Sequence, residues 1–298
     1  MKILVTGGAG FIGSNLALEL DKQGHDVTVA DNLFTGNRDN LNDFKGELID
    51  IDVSKEKLSG KFDAIFHQAA ITDPRFEDDN EMMRANIEGF KLIINLALEN
   101  NAKLVYASSA SVYGNGKTPM QEDQEKDPLN AYAKSKLMMD EMASGFSDKM
   151  HIVGLRYFNV FGPREAHKGR PASMIYHLAE QIKSTKKPRL FKFGEQKRDH
   201  IYVKDAVDAA IIALNAKKSG VYNVGTGIAT TFNDIVKVLD EVFGVDFEPE
   251  YFDMPYKAGT YQSNTHADTE LASKFLGFKA RWGLKDAIKD YMNFLGWL

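Results

Sequence analysis

Two side chains four residues apart, Tyr132 and Lys136, form the most promising reactive pair in this sequence. They stand in the stretch NAYAKSKLMMDE, which has a helical pattern. Positions i and i+4 share one face of a helix, so the lysine ammonium would lie beside the phenol. A nearby cation stabilises a phenolate and lowers the tyrosine pKa from about 10 toward neutrality. We therefore predict that Tyr132 is a general acid and base that exchanges a proton with a substrate hydroxyl.

A serine at the end of a predicted strand strengthens this interpretation. The strand runs into the stretch YASSASVYG, in which Ser109 is placed to hydrogen-bond the same substrate oxygen from the side of the sheet. The Y-x-x-x-K spacing alone also arises by chance, as an exposed pair. The serine makes a shared catalytic site the better explanation.

Charged side chains crowd together in the loop that ends the stretch RYFNVFGPREAHKG. Lys168, partly desolvated under a ligand and next to Arg164, would have a lowered pKa in a range useful for proton transfer. The alternative is an exposed lysine or one that only binds phosphate. We expect Glu165 and His167 to be structural or to orient a substrate. Neither has metal-ligand spacing with another cluster, so we predict no metal site.

A dinucleotide site is predicted from the stretch VTGGAGFIGSNL, where Gly7, Gly10 and Gly13 lie between a strand pattern and a helix that begins with Phe11 and Ile12. The first glycine permits a tight turn, the second lets the backbone approach a pyrophosphate, and the third lets the helix pack on the strand. The phosphates would then lie at the positive end of the helix.

The sequence does not decide whether the ribose of that dinucleotide carries a 2′-hydroxyl, as in NAD, or a 2′-phosphate, as in NADP. Asp31 ends the second predicted strand, where a carboxylate hydrogen-bonds a ribose 2′-hydroxyl and repels a 2′-phosphate, which favours NAD. Asn32, Arg38 and Lys55 stand nearby and can donate to a 2′-phosphate, which favours NADP.

The elements that would position these groups alternate between short apolar runs and helical patterns. This alternation is typical of βαβ units and a parallel sheet covered on both faces, so we predict a Rossmann-type, doubly wound α/β fold. The predicted strands are Lys2–Val5, Asp26–Ala30, Glu47–Ile49, Ala64–His67, Lys103–Ala107 and Ile152–Tyr157, and the helices between them are Phe11–Lys22, Glu77–Glu99 and Ala131–Gly145.

From about Gly162 the sequence pattern changes, and the predicted loops between elements become longer. We predict that residues 1–161, with parts of 195–230, form the NAD(P)-binding domain. Residues 162–298 would form a smaller, discontinuous α/β lobe that binds the substrate. Its predicted elements are the helices Ala172–Ser184, Asp205–Asn215 and Phe232–Phe243 and short strands such as Val221–Val224.

Composition excludes several other classes. Lys and Arg number 37 and Asp and Glu number 42, and the net charge of −5 argues against a general binder of nucleic acid. The absence of cysteine excludes disulfides, thiolate catalysis and Cys-ligated zinc. No apolar run approaches the roughly 20 residues of a membrane span, so we expect a cytoplasmic protein with no membrane partner.

The chain resembles the extended short-chain dehydrogenase/reductase family. The resemblance implies tightly bound NAD(P), a nucleotide-diphosphate sugar as substrate, and a homo-oligomer. It also implies catalytic roles for Ser109, Tyr132 and Lys136. The motifs that carry the resemblance occur in order along nearly the whole chain: TGGAGFIG, DNL, IFHQAA, NIEG, SSASVYG, YAKSK, RYFNVFGP and RDHIYVKD.

Further roles follow from the same resemblance. Asp52 and Val53 match a pair that contacts adenine, and Ala69, Ala70 and Asn86 match positions beside the cofactor.

Other matched positions concern the substrate. Asn159 and Arg198 match positions that hold the sugar diphosphate, and we expect Arg164 and Tyr261 to contact the substrate as well.

Within the family the chain is most similar to the ADP-glycero-manno-heptose 6-epimerases. The loop REAHKG and the stretches KRDHIYV and GTYQSNTHAD carry this likeness, which implies that Lys168 is a second acid and base opposite Tyr132 and that the cofactor is NADP. The 4,6-dehydratases carry an Asp-Glu pair after the catalytic serine or threonine, where this chain has Ala110 and Ser111, so we do not expect a dehydratase.

Three alternatives remain. HQAA and DNLFTGNRDNL are also common in UDP-hexose 4-epimerases, which favour NAD. A nucleotide-sugar reductase would use the same scaffold with net consumption of cofactor. A catalytically dead NAD(P) sensor is the third, although such relatives usually lose the tyrosine or the lysine that this chain retains.

Overall fold

The computed structural model describes residues 1–73, 75–185, 187–253, 262 and 264–298. The strands are β1 Lys2–Thr6, β2 Asp26–Asp31, β3 Glu47–Asp50, β4 Ala64–His67, β5 Lys103–Ser109, β6 Ile152–Tyr157, β7 Asn159–Phe161, β8 Arg189–Phe191, β9 Lys197–Tyr202, β10 Gly220–Val224, β11 Ala229–Thr231 and β12 Glu250–Phe252. The helices are α1 Phe11–Lys22, α2 Asp79–Asn100, α3 Ala131–Ser144, α4 Met174–Thr185, α5 Val203–Ala213, α6 Phe232–Phe243 and α7 Leu284–Phe294. The elements predicted from the sequence form, with ends displaced by at most two residues.

The large sheet has the strand order β10-β6-β5-β4-β1-β2-β3, and all its neighbouring strands are parallel. The chain builds β1 to β3 toward one edge, then crosses back to place β4 on the other side of β1. This reversal is a topological switch point, and ligands of such sheets bind beyond the carboxyl ends of the strands that flank it. The predicted Rossmann-type fold is confirmed.

Both faces of the sheet are buried. In β1, Ile3 and Val5 belong to one hydrophobic cluster, whereas Leu4 points into the other. β4 and β6 are buried along their whole length. Each buried aliphatic side chain of this kind contributes about 1.5–3 kcal/mol relative to an exposed one. Continuous apolar strands are therefore what a sheet covered by helices on both faces requires.

Two smaller sheets lie in the second half of the chain. One has the order β11-β9-β7, and the other pairs β12 with β8. The strand that we predicted at Val221–Val224 as part of the smaller lobe instead lies in the large sheet, where β10 pairs with β6. β10 lies within residues 195–230, parts of which we predicted to belong to the NAD(P)-binding domain. The domain bounds themselves stay a prediction.

A buried ion pair holds α3 against the sheet. Asp140 on α3 accepts hydrogen bonds from Arg156 Nε on β6 at 2.9 Å and from the Tyr106 hydroxyl on β5 at 3.0 Å. Asp140 and Arg156 are both about 5% exposed. Since removing one member of a buried pair costs about 3–5 kcal/mol, this contact fixes the helix that carries Tyr132 and Lys136. Within the described ranges, no helix combines the length and apolar character of a membrane span.

Candidate active site

A single large cleft, with a cavity volume of about 1480 Å³, lies beyond the carboxyl ends of the strands. Its lining includes Gly7, Asn32 and Gln68, which directly follow β1, β2 and β4. Sites for one small ligand are usually roughly 300–1,000 Å³, so this cleft has room for two bound molecules.

Most of the predicted site residues line this one cleft. Arg38 and Arg164 do not, and Tyr261 lies outside the described residues. The predicted residues that the structure brings together are Gly7, Gly10, Phe11, Ile12, Gly13, Asp31, Asn32, Asp52, Val53, Ala69, Ala70, Asn86, Ser109, Tyr132, Lys136, Asn159, Lys168 and Arg198.

The glycine loop has the shape that a pyrophosphate requires. Gly7 has a φ of 68°, and a Cβ there would lie 2.5 Å from the backbone nitrogen of Ala69. Gly10 precedes α1, and no side chain caps the α1 N-terminus. The first N–H groups of a helix have no partner within the helix. Here they open onto the cleft, where they can bind an anion.

Asp31 is less available to a ligand than its position suggests. Its Oδ2 accepts a hydrogen bond from Ala9 N at 2.9 Å, and its Oδ1 accepts one from Leu33 N at 2.8 Å. The side chain is 8% exposed, and this burial raises the pKa of the carboxyl group above its usual value, against the effect of the two hydrogen bonds. Asp31 thus joins the glycine loop to the segment that follows β2.

Asn86 on α2 also acts on the backbone. Its Oδ1 accepts from Ile71 N at 2.8 Å, and its Nδ2 donates to Ile71 O at 3.1 Å and to Ser135 Oγ at 3.0 Å. These bonds use both N–H groups of the carboxamide and one lone pair of its oxygen. Asn86 therefore positions the segment after β4 that includes Ala69 and Ala70.

β5 and α3 place Ser109 and Tyr132, two of the residues predicted to be catalytic, on the same cleft. The Ser109 hydroxyl lowers the pKa of the Tyr132 phenol, and Ser109 Oγ accepts a hydrogen bond from Ser111 N at 3.1 Å. The α3 N-terminus is capped by Asn130, whose side chain accepts from Ala133 N at 2.9 Å. The first turn that presents Tyr132 to the cleft is therefore fixed.

The effect of Lys136 on Tyr132 differs from our prediction. Burial raises the pKa of Tyr132 above its usual value, and the hydrogen bond from Ser109 only partly opposes this. Lys136 Nζ lies 5.9 Å from the centre of the tyrosine ring and donates to the Ala107 carbonyl at 2.8 Å. Burial also lowers the pKa of Lys136 to about 8. The expected lowering of the tyrosine pKa by a neighbouring ammonium is thus absent from this arrangement.

Lys168 lies on the same cleft, in a short 3₁₀ turn over Ala166–Lys168. Its Nζ is 5.3 Å from the ring centre of Phe11, the first residue of α1. Burial lowers the pKa of Lys168, although the nearby carboxylates of Glu165 and Asp73 act in the opposite direction. We predicted that desolvation and the neighbouring Arg164 lower this pKa; in the structure burial lowers it, and Arg164 is not among the causes.

Glu165 holds the Lys168 turn in place. It is completely buried, and its carboxylate accepts from Gly162 N at 3.0 Å, Ser173 N at 2.7 Å and Ser173 Oγ at 2.9 Å. These bonds join the end of β7 to the start of α4. The structural role expected for Glu165 fits this arrangement.

Arg164 is placed differently from our expectation of a substrate contact. Its guanidinium donates to Asn40 O and to Asn15 Oδ1, both at 3.2 Å, and lies 5.2 Å from the ring centre of Phe294. These partners hold it in the protein framework beside α1. Sequence proximity to Lys168 did not reveal this, because the partners come from distant parts of the chain.

Comparison with known proteins agrees with this geometry. The sequence model of the NAD dependent epimerase/dehydratase family matches residues 3–225. The ADP-L-glycero-D-manno-heptose-6-epimerase of Brachyspira hyodysenteriae is 41% identical, over 98% of this chain and 97% of that protein. The chain belongs to the NAD dependent epimerase/dehydratase family. The resemblance seen in the sequence motifs is thereby confirmed.

Solved structures of this epimerase/dehydratase family share the fold. The ADP-L-glycero-D-manno-heptose-6-epimerase of Helicobacter pylori is 39% identical, with a TM-score of 0.93 over 100% of this chain and 96% of that chain. The UDP-glucose 4-epimerase of Thermotoga maritima is 28% identical, with a TM-score of 0.90 over 99% of each chain.

The cleft of this epimerase/dehydratase family member also contains residues that the sequence did not single out. Phe34 and Phe76 both line the cleft, and their rings pack edge to face with ring centres 6.1 Å apart. His200 on β9 also lines it. His67 lines it too, and its Nδ1 is hydrogen-bonded to Thr6 Oγ1 at 2.7 Å. A histidine inside a strand is more often structural, so only the fold reveals that these two imidazoles face a ligand site.

Proposed function

We propose that this chain is an ADP-glycero-manno-heptose 6-epimerase that oxidises and re-reduces C6 of the sugar without net consumption of cofactor. The observation that carries this proposal is the position of Tyr132 and Lys168 on one cleft that also contains the glycine loop at the α1 N-terminus. A relative bearing that name is 41% identical over 98% of this chain, which supports the same substrate class.

When bound, the cofactor would supply the hydride acceptor and the hydride donor for the sugar carbon. The chain's own residues handle the accompanying proton. As phenolate, Tyr132 accepts the proton of the C6 hydroxyl, and as phenol it gives the proton back. Ser109 lowers the pKa of Tyr132 and so contributes to the stability of the phenolate, as a hydrogen-bond donor to the charged form does.

Inversion at C6 requires hydride to leave one face of the carbon and return to the opposite face. The exocyclic carbon can meet this requirement in two orientations, and its oxygen then needs a proton donor in each. We propose that Lys168 serves the second orientation. Burial lowers the pKa of its ammonium group, which makes proton release near neutral pH easier. Contact with a phosphate is the competing role, because Lys168 lies over Phe11 at the start of α1.

The proposed cofactor is NADP. Asp31 favours NAD by charge, but the residue is only 8% exposed and burial raises the pKa of its carboxyl group. Arg38 is exposed and directly follows Asn37, which lines the cleft. Its long side chain therefore starts one residue away from the cleft lining. This favours a 2′-phosphate over a 2′-hydroxyl.

We propose that the sugar diphosphate is held by Asn159 and Arg198. Both line the cleft, on the neighbouring strands β7 and β9. Thr265 donates to Asn159 Oδ1 at 2.9 Å, which fixes the amide. A cytoplasmic location and a homo-oligomer stay predictions from the sequence.

The experiment is an incubation with each of the two ADP-glycero-manno-heptose C6 epimers without added cofactor, followed by proton NMR. We expect both to reach the same equilibrium mixture. UDP-galactose is the matched alternative substrate. If the protein does not act on either heptose but rapidly 4-epimerises UDP-galactose, the proposal is wrong and the chain is a UDP-hexose 4-epimerase. Stoichiometric loss of reduced cofactor would point to a reductase, and cofactor binding without any turnover to a sensor.

A further inference from the structure

His200 combines burial, orientation toward the cleft and missing partners. It is 7% exposed and lines the cleft from β9. Among the described residues, neither Nδ1 nor Nε2 has a hydrogen-bond partner. A buried polar group left without a partner costs about 1–3 kcal/mol. Buried polar side chains are therefore nearly always paired, and an exception inside a ligand cleft points to the ligand as the partner.

An aromatic ring and a cation are neighbours of the His200 imidazole. Phe161 meets the imidazole edge to face with ring centres 6.3 Å apart. The charged group that acts on it is Arg198, two residues earlier on the same strand. Burial, assisted by this cation, lowers the pKa of His200 to about 3. At neutral pH the ring is therefore uncharged, with one N–H donor and one nitrogen acceptor.

Strand geometry places His200 next to the predicted diphosphate site. Side chains at i and i+2 of a strand share a face, so His200 and Arg198 both point into the cleft. In the β7–β9 pair, Asn159 is the direct partner of His200. The imidazole is thus a neighbour of both residues proposed to hold the sugar diphosphate, Asn159 across the strand pair and Arg198 along the strand.

The chemistry of the ring selects its ligand. A phosphate oxygen only accepts hydrogen bonds and would leave the acceptor nitrogen of the imidazole unpaired. Sugar hydroxyls both donate and accept, so a hydroxyl can pair with either ring nitrogen, and hydroxyls on two sides of the ring can pair with both. We propose that His200 is a specificity-determining residue that binds hydroxyl groups of the nucleotide sugar beside the diphosphate. This inference rests on the proposed function as a nucleotide-sugar epimerase.

Two parts of such a substrate carry hydroxyls: the ribose of the nucleotide and the terminal sugar. Calorimetric titration of the cofactor-loaded protein with ADP and with ADP-glucose separates them. ADP-glucose lacks the seventh carbon and so permits binding without C6 epimerisation. His200→Phe removes both polar atoms and retains a ring that can pack on Phe161. His200→Gln keeps a donor and an acceptor.

We expect His200→Phe to weaken ADP-glucose binding about tenfold or more, as the loss of a buried hydrogen bond implies, and His200→Gln to restore much of it. If His200 binds the ribose, the affinity for ADP should fall by the same factor. If His200 binds the terminal sugar, the affinity for ADP should not change. His25→Phe, at a histidine that does not line the cleft, is the matched control. Thermal denaturation and cofactor content verify that each variant is folded.

Equal affinity of wild type and His200→Phe for both ligands would overturn the inference. So would a His200→Gln variant as weak as His200→Phe while folded and loaded with cofactor. Failure of the proposed function would be seen in the wild type itself, as a preference for UDP-glucose over ADP-glucose. The comparison of variants would then be made with UDP and UDP-glucose. A wild type that binds none of these nucleotides would overturn both.

Discussion

The Lys136 ammonium donates to the carbonyl of Ala107 at 2.8 Å and not to the Tyr132 phenol. Ala107 lies on β5, two residues before Ser109, so this bond joins α3 to the strand that carries Ser109. Lys136 is 1% exposed and pays a desolvation cost for its charge. A buried cation kept in the cleft at this cost is best explained by its action on a bound ligand.

The charge of Lys136 should make stability depend on pH. Its pKa is about 8 in the folded chain against an ordinary value of 10.5, so the unfolded chain binds more protons between these pH values. The free energy of unfolding of the wild type should therefore rise with pH across this window, by up to about 3 kcal/mol. Lys136→Met should lack this rise, which urea denaturation between pH 7 and pH 10.5 would measure.

Lys134→Met is the matched control, since Lys134 is exposed on the same helix. It should follow the wild-type curve. A Lys136→Met variant whose stability relative to the wild type stays constant from pH 7 to pH 10.5 would contradict the buried-charge account.

Lys168→Met tests the second acid and base. We expect kcat for heptose epimerisation to fall about 10²–10⁴-fold, the usual contribution of one positioned proton-transfer group. The cofactor content of the purified variant should equal that of the wild type. Lys183→Met, an exposed lysine on α4, should leave both unchanged. Loss of cofactor or a large increase in KM with kcat retained would assign Lys168 to phosphate binding.

Glu165→Gln tests the positioning of the Lys168 turn. Glutamine retains one acceptor oxygen, but its amide nitrogen would face the N–H groups now bound by the carboxylate. We expect a loss of about 1–3 kcal/mol in stability from urea denaturation, with a fall in kcat and little change in KM. Glu180→Gln on the exposed face of α4 is the control. Wild-type kcat in a destabilised Glu165→Gln variant would show that the turn does not depend on this carboxylate.

Arg38→Ala tests the choice of cofactor. The wild type should release NADP on denaturation, identified by mass. In the variant we expect the Kd for NADP to rise about tenfold and the Kd for NAD to stay within twofold, because the guanidinium would contact only the 2′-phosphate. Release of NAD from the wild type, or equal effects on the two cofactors, would remove Arg38 from this role.

The sequence was sufficient for the framework because the framework is encoded locally. Glycine spacing, apolar runs and helical periodicity predicted the strands and helices, and α1 and α6 have the predicted bounds. The start of α2 was predicted less accurately. We predicted that α2 begins at Glu77, whereas it begins at Asp79 because Asp78 accepts from Glu81 N at 2.9 Å.

What the sequence could not predict are contacts between distant segments. Arg164 bonds with Asn15 and Asn40, and Lys136 bonds with Ala107, and no local pattern indicates either pairing. The direction of the Tyr132 pKa depends on burial, which only the folded cleft defines. The orientation of His200 likewise follows from the β7–β9 register.

The central claim is that C6 is oxidised transiently and that the hydride removed from C6 is returned to it. Isotope retention at C6 tests this claim most directly. The protein is incubated in D₂O with one ADP-heptose epimer, and separately in H₂O with the same epimer deuterated at C6, and the product epimer is examined by NMR and mass spectrometry. Direct return of hydride predicts no solvent deuterium at C6 in the first product and full retention of deuterium at C6 in the second. Deuterium gained from solvent at C6, or lost to it, would contradict the account.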